Sequence, residues 1–144
     1  MIRTDDYSLI NRIINNNKIY PYIVDDGSPE YYETNESDDI YYLIDREGLA
    51  IYSPLNFITY ETHWCILSKY RGKAVSFVKD TIRWMFRNTN CMKVEVRIPE
   101  INIRSYKFAK KLGFNDEGVS KKSFMINGDI YNMNILGVEK CRGQ

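Results

Sequence analysis

Between Met92 and Phe114 the hydrophobic period of the chain switches once, and that switch limits what can form around it. Val94, Val96 and Ile98 alternate with Lys93, Glu95 and Arg97, the period of a strand with one buried face. Pro99 ends the strand, and from Asn102 to Leu112 the spacing is helical. Asn102 is a good N-cap, Gly113 stands where a left-handed C′ residue belongs, and Phe114 follows where a Schellman turn takes an apolar contact. A second helix precedes the strand over Val75–Arg87, with Val75, Val78, Ile82 and Met85 on one stripe backed by Phe77, Trp84 and Phe86.

The flanking segments extend this order. Tyr7, Ile10, Ile13 and Ile14 predict a helix over residues 5–16, stopped by Asn15-Asn16-Asn17. Ile19–Val24, interrupted by Pro21, reads as a short strand or an irregular linker. Asp25–Asp39 carries seven acids and no Lys or Arg; a solvated loop accounts for it, as does an acidic lip that draws in a basic substrate. Ile40–Ile44 and Leu49–Tyr52 flank Asp45-Arg46-Glu47-Gly48 as a hairpin, and Phe57–Leu67 reads as a longer strand. Ser123–Ile126 and Ile130–Leu136 flank Asn127-Gly128-Asp129, the strongest short hairpin signal available. Helix, strands, helix, strand, helix and hairpin make an α+β or mixed α/β fold, and 144 residues suffice for one domain over 1–144 with a single core.

Composition excludes several classes. A formal charge of +1 gives no global attraction to nucleic acid or acidic lipid, so any charged ligand needs a local cluster. Aromatic residues reach 14%, yet the cations gather in one turn and one helix instead of alternating with aromatics, which argues against a base-stacking surface. Cys65, Cys91 and Cys141 show no metal spacing and are odd in number, so a reduced cytoplasmic compartment without metal or disulfides is expected. No signal peptide or membrane span is expected from the pattern. Abundant Ile, Tyr, Asn and Lys fit an AT-rich genome, as in many phages and some bacteria.

The segment Leu67-Ser68-Lys69-Tyr70-Arg71-Gly72-Lys73-Ala74 joins a strand to a helix start. Exposed N–H groups and the positive helix end suit a diphosphate there, Lys69, Arg71 and Lys73 add charge, and Gly72 permits close approach; a solvated basic turn is the plainer account. Tyr70-Arg71-Gly72-Lys73, then strand, Asn102, helix and Lys111-Leu112-Gly113-Phe114, is similar to the acyl-coenzyme A core of the GNAT N-acetyltransferase superfamily over about 80 residues.

The resemblance implies a splayed mixed β-sheet flanked by helices. It implies a pantetheine arm paired with backbone of Trp64, Cys65 and Ile66, and a diphosphate on the amides of Arg71, Gly72, Lys73, Ala74, Val75 and Ser76, with Asn102 heading the later helix. Ala74 and Ser76 stand where the family has glycine-like residues, and Ala109 stands where many members carry the tyrosine that protonates the leaving thiolate. Tyr106, one helical turn earlier, is the candidate substitute, with Tyr131 another candidate acid. Glu61 and His63 share a strand face and are candidate bases; a structural histidine and a surface carboxylate are the duller accounts. Glu95 and Arg97 point together from the next strand, to bind substrate or to form a cross-strand ion pair, and Cys65 reads as a small buried hydrophobe. The expected activity is direct transfer of acetyl from acetyl-CoA to an amine of a small molecule or protein. The expectation for partners is that amine substrate, with a homodimer admitted and neither nucleic acid nor membrane. The alternative is a catalytically silent GNAT-fold binding or assembly protein, such as a phage virion-associated protein.

Overall fold

A computed structural model describes residues 1–34, 36–46, 48–67 and 72–141. Its elements are β1 (Ile2–Arg3), α1 (Tyr7–Ile14), β2 (Tyr41–Asp45), β3 (Gly48–Pro54), β4 (Thr59–Ile66), α2 (Ala74–Asn88), β5 (Lys93–Pro99), α3 (Ile103–Lys111), β6 (Asn115–Ile126) and β7 (Asp129–Glu139). The strands form one seven-stranded sheet in the order β1-β2-β3-β4-β5-β7-β6. Every neighbouring pair is antiparallel except β4 and β5, which run parallel because α2 carries the chain back between them. This is the expected α+β architecture with a mixed sheet.

Strand alternation divides the core into two layers. On one face Leu43, Ala50, Tyr52, Tyr60, Val94, Val96, Ile98 and Leu136 pack with Phe77, Val78, Ile82, Met85 and Phe86 of α2 and with Ala109, Leu112 and Phe114 around α3. On the other face α1 lays Ile10, Ile13 and Ile14 over Tyr42, Ile44, Leu49 and Cys65. That second layer stops at the β4 side of the sheet, and the same face of β5 presents the charged Lys93, Glu95 and Arg97. The tertiary contrast follows from the alternation read in the sequence.

Three local expectations need correction, and one short strand had none. Of the two readings of Ile19–Val24 the strand fails and the irregular one holds: a single 3₁₀ turn occupies Tyr20–Tyr22, with Pro21 inside it supplying a fixed φ and no N–H. The third long strand begins at Thr59 and not Phe57, because Leu55 N–H donates to Thr59 O (2.8 Å) and the Asn56 side chain accepts from Ile58 and Thr59, leaving Phe57 in the turn and 80% exposed. The first strand of the final hairpin spans Asn115–Ile126, far beyond Ser123–Ile126. It is exposed along most of its length and broken by two register shifts, so it alternates only over Ser123–Ile126, the part read from the sequence. The edge strand β1, only two residues long, carries no periodicity to read.

Candidate active site

The parallel ladder between β4 and β5 holds only Thr59↔Lys93, Tyr60↔Val94 and Glu61↔Glu95. Beyond it, Thr62–Ile66 stay paired to β3 and Val96–Pro99 stay paired to β7, but not to each other. The two halves of the sheet therefore part from Glu61 and Glu95 outward, leaving a wedge whose backbone edges lack a sheet partner. Both α2 and α3 start beyond the wide end of this wedge, on the same face of the sheet, since each follows one of the two parting strands. Two positive helix ends thus flank one mouth.

At the mouth, Lys73 is the N-cap residue of α2 without a side-chain capping bond, so the N–H groups of Ala74, Val75 and Ser76 have no acceptor within the helix. Ala74 is buried, Gly72, Lys73 and Ser76 are exposed, and Ser76 Oγ donates to Lys73 O (3.4 Å). A Cβ on Gly72 would meet nothing within 4 Å among the described residues. Lys69, Tyr70 and Arg71 lie outside the described residues, and with them the central cation expected of the turn. Across the mouth Asn102 caps α3, its Oδ1 accepting from Ser105 N (3.1 Å).

At the apex of the wedge stand the charged groups. His63 Nε2 donates to Glu61 Oε1 at 3.0 Å, and Arg97 Nε lies 4.0 Å from Glu61 Oε2. The Glu61 side chain is 21% exposed and that of His63 58%, so the carboxylate is sheltered while the imidazole faces solvent. The hydrogen bond from His63 holds the Glu61 carboxyl below its usual range; partial burial opposes this, and the Arg97 charge adds to it. A neutral His63 that donates from Nε2 has Nδ1 left as its acceptor. His63 is thus neither backbone-bonded nor buried, and Arg97 makes its cross-strand pair with Glu61 and not with Glu95, which faces Lys93 at 4.0 Å. The Glu61–His63–Arg97 grouping was legible only in part: the sequence put Glu61 with His63 and Glu95 with Arg97, but nothing in it set the parallel register that joins them.

The other candidate residues lie outside this grouping. Tyr106 donates its hydroxyl to both oxygens of Asp116 (2.8 and 2.9 Å), and Lys110 joins that carboxylate at 3.0 Å. Asp116 belongs to β6, separated from β5 by β7, so the Tyr106 hydroxyl turns away from the wedge. Its bond to Asp116 raises the Tyr106 pKa. Ala109 is fully buried. The Trp64 indole packs edge-on against Phe108 (5.3 Å between ring centres) and Phe114 (6.2 Å), reaching from β4 to α3 on the helix face. Ile66 is half-buried on that same face, and Tyr131 is half-buried on β7. Cys65 lies under α1, where burial pushes its thiol up to about 12 and leaves no reactive thiolate. No group of three or more His, Cys, Asp or Glu among the described residues is arranged to hold a metal, and no described helix is long and apolar enough to cross a membrane.

A mixed sheet parted at its one parallel pair, with a helix leaving each parted strand, defines the fold of GNAT acetyltransferases, and solved structures of that class superpose on this chain. One is the spermidine N-acetyltransferase SpeG of Vibrio cholerae (F149A mutant), at TM-score 0.73 and 17% identity over 96% of this chain and 93% of that one. Another is the ribosomal-protein-S5-alanine acetyltransferase of Vibrio fischeri, at TM-score 0.62 and 24% identity over 74% of this chain. A third is the microcin C7 self-immunity acetyltransferase MccE, solved with acetyl-CoA and AMP, at TM-score 0.57 and 20% identity over 65% of this chain. The chain spans 65% of the length of the Vibrio fischeri protein and 54% of MccE. At these identities the likeness is one of fold. No family model matches the sequence, and no curated protein matches it.

Proposed function

We propose that this protein transfers an acetyl group from acetyl-CoA to an amine, with His63 as general base. The parting of β4 and β5 carries the reading. It leaves free backbone edges of a length that suits an extended pantetheine arm, under two helix N-termini that favour the coenzyme's phosphates. The fold neighbours, acetyltransferases by name, support the same chemistry.

The roles follow from the apex. Glu61 fixes the His63 tautomer and stabilises the imidazolium that forms, and Arg97 keeps Glu61 ionised. The acceptor ammonium gives one proton to His63 Nδ1, its nitrogen attacks the thioester carbonyl, the C–S bond breaks as the N–C bond forms, and the nitrogen's second proton passes to the departing sulfur. The departing thiolate needs no fixed acid: a thiol titrates at about pH 8.5, so its conjugate base leaves readily and takes up the proton that the acylated nitrogen releases, with water as the relay. This accommodates Ala109 and the commitment of Tyr106 to Asp116.

The acetyl-transfer reading is tested by thermal unfolding with acetyl-CoA, which stabilises the native state if the wedge binds it, by about 2.7 kcal/mol at a hundredfold excess over Kd. His63→Ala is expected to keep that shift and lower turnover about 10²–10⁴-fold. A silent binding protein is the second reading, favoured by the Trp64 indole lying on Phe108 and Phe114 across the opening. No shift at saturating acetyl-CoA decides for it.

A further inference from the structure

Residues 16–31 leave the end of α1 and return to it. Asn15 Nδ2 donates to Tyr32 O and accepts, through Oδ1, from Tyr32 N, both at 2.8 Å, while Thr34 N donates to Asn11 Oδ1 at 2.8 Å. The loop base is thus closed upon the helix. Ile19, 4% exposed, anchors it in the layer beneath α1, and the Tyr20 hydroxyl binds Pro29 O inside it. At the tip, Asp25 Oδ1 accepts from Gly27 N (2.9 Å), turning Asp26 outward.

Asp26 reaches the β6–β7 turn. Its N–H donates to Met125 O (3.0 Å), its Oδ1 accepts from Asn127 N (2.7 Å) and its Oδ2 from Gly128 N (2.9 Å). Asn127 and Gly128 have φ of 53° and 80°, the two-residue hairpin turn in which both N–H groups face away from the ladder, ready for an acceptor. The location matters more than the bonds. α1 covers β2 to β4, whereas β7 lies beyond β5 and overruns its end, Pro99 pairing Met133 with the turn further out. A segment that leaves α1, on the β2–β4 side of the sheet, and lands on the β6–β7 turn crosses the opening between β4 and β5.

We propose that Asp26 latches residues 16–31 across the mouth of the wedge, on the face where His63 opens to solvent, so that only a thin, linear amine reaches His63. The acceptor half of this proposal rests on the acetyl-transfer reading; the latch rests on the three hydrogen bonds alone. The loop carries Asp25, Asp26 and Glu30 with Glu33 just beyond it, and no Lys or Arg occurs from Ile19 to Asp45, so the passage favours a cationic chain. A lysine on a folded protein surface would have to displace the loop.

The full-length protein, Asp26→Ala and Asp26→Asn are compared in two measurements. Hydrogen exchange of the Asn127 and Gly128 amides is expected to quicken about tenfold or more in Asp26→Ala, the loss of charge-assisted acceptors. Asp26→Asn keeps one acceptor and should fall between. Acetylation is then followed with 1,4-diaminobutane and with a folded, lysine-rich protein. The ratio of kcat/KM for the folded protein over the diamine should rise about tenfold or more in Asp26→Ala, with the KM for acetyl-CoA unchanged. Equal exchange rates in all three proteins overturn the latch. Faster exchange with an unchanged ratio overturns its part in selection, as does wild-type protein that acetylates both acceptors equally well. Absence of turnover with either amine, together with absence of acetyl-CoA binding, removes the acetyl-transfer reading and the acceptor half, and exchange still decides the latch.

Discussion

Glu61 sits at the last rung of the parallel ladder, where a sheltered carboxylate meets one donor from its own strand and a cation from the next. Because those partners favour the charged form, its folded pKa lies below the unfolded value. Its contribution to stability is therefore complete above the ordinary glutamate range and is lost as pH falls through the lowered pKa. Wild-type protein should lose more unfolding free energy than Glu61→Gln between pH 5 and pH 3, by about 1 kcal/mol or less given partial exposure, as read from urea melts. An equal loss in both would mean the pairing contributes nothing. The residue types were legible, since acid, imidazole and guanidinium on two strand faces invite such a grouping. Less legible was Gly137, where a Cβ would come within 2.5 Å of the Glu117 carboxylate on its way to Lys93 (2.7 Å). Only the β6 bulge brings Glu117 over that glycine.

α3 ends as its sequence dictates. Phe114 N donates to Ala109 O and Gly113 N to Lys110 O, both at 3.1 Å, the paired bonds of a Schellman turn, with Gly113 at φ 95° and Phe114 buried. A Cβ on Gly113 meets nothing within 4 Å among the described residues, so Gly113→Ala is a conformational penalty, expected at about 1–2 kcal/mol in urea unfolding with an unchanged m-value. A cost near zero would show that the turn relaxes. Elements with a buried stripe and local caps, α1, α2, β5 and α3, stood out because periodicity and caps act within a few residues. The first two-thirds of β6 escaped because both its faces are largely open to water there, so nothing selects an alternating pattern.

For the whole molecule the decisive event is that two strands paired at one end separate at the other. If acetyl-CoA occupies the wedge, amides of Thr62–Ile66 that face it should gain protection from hydrogen exchange on binding, while Thr59–Glu61, already in the ladder, should not. Uniform protection along β4 would point to general stiffening and not to a ligand in the gap. The amino-acid order by itself determined the helices, the hairpins, the mixed α+β class and the charged residue types near the apex, because those depend on spacing and turn chemistry over short stretches. Tertiary structure alone decided where β4 and β5 part, that Tyr106 answers to Asp116, and that Asp26 closes on amides 101 and 102 residues away. Such contacts are fixed by how the layers pack against both sheet faces, and no local pattern encodes a meeting between segments so far apart along the chain.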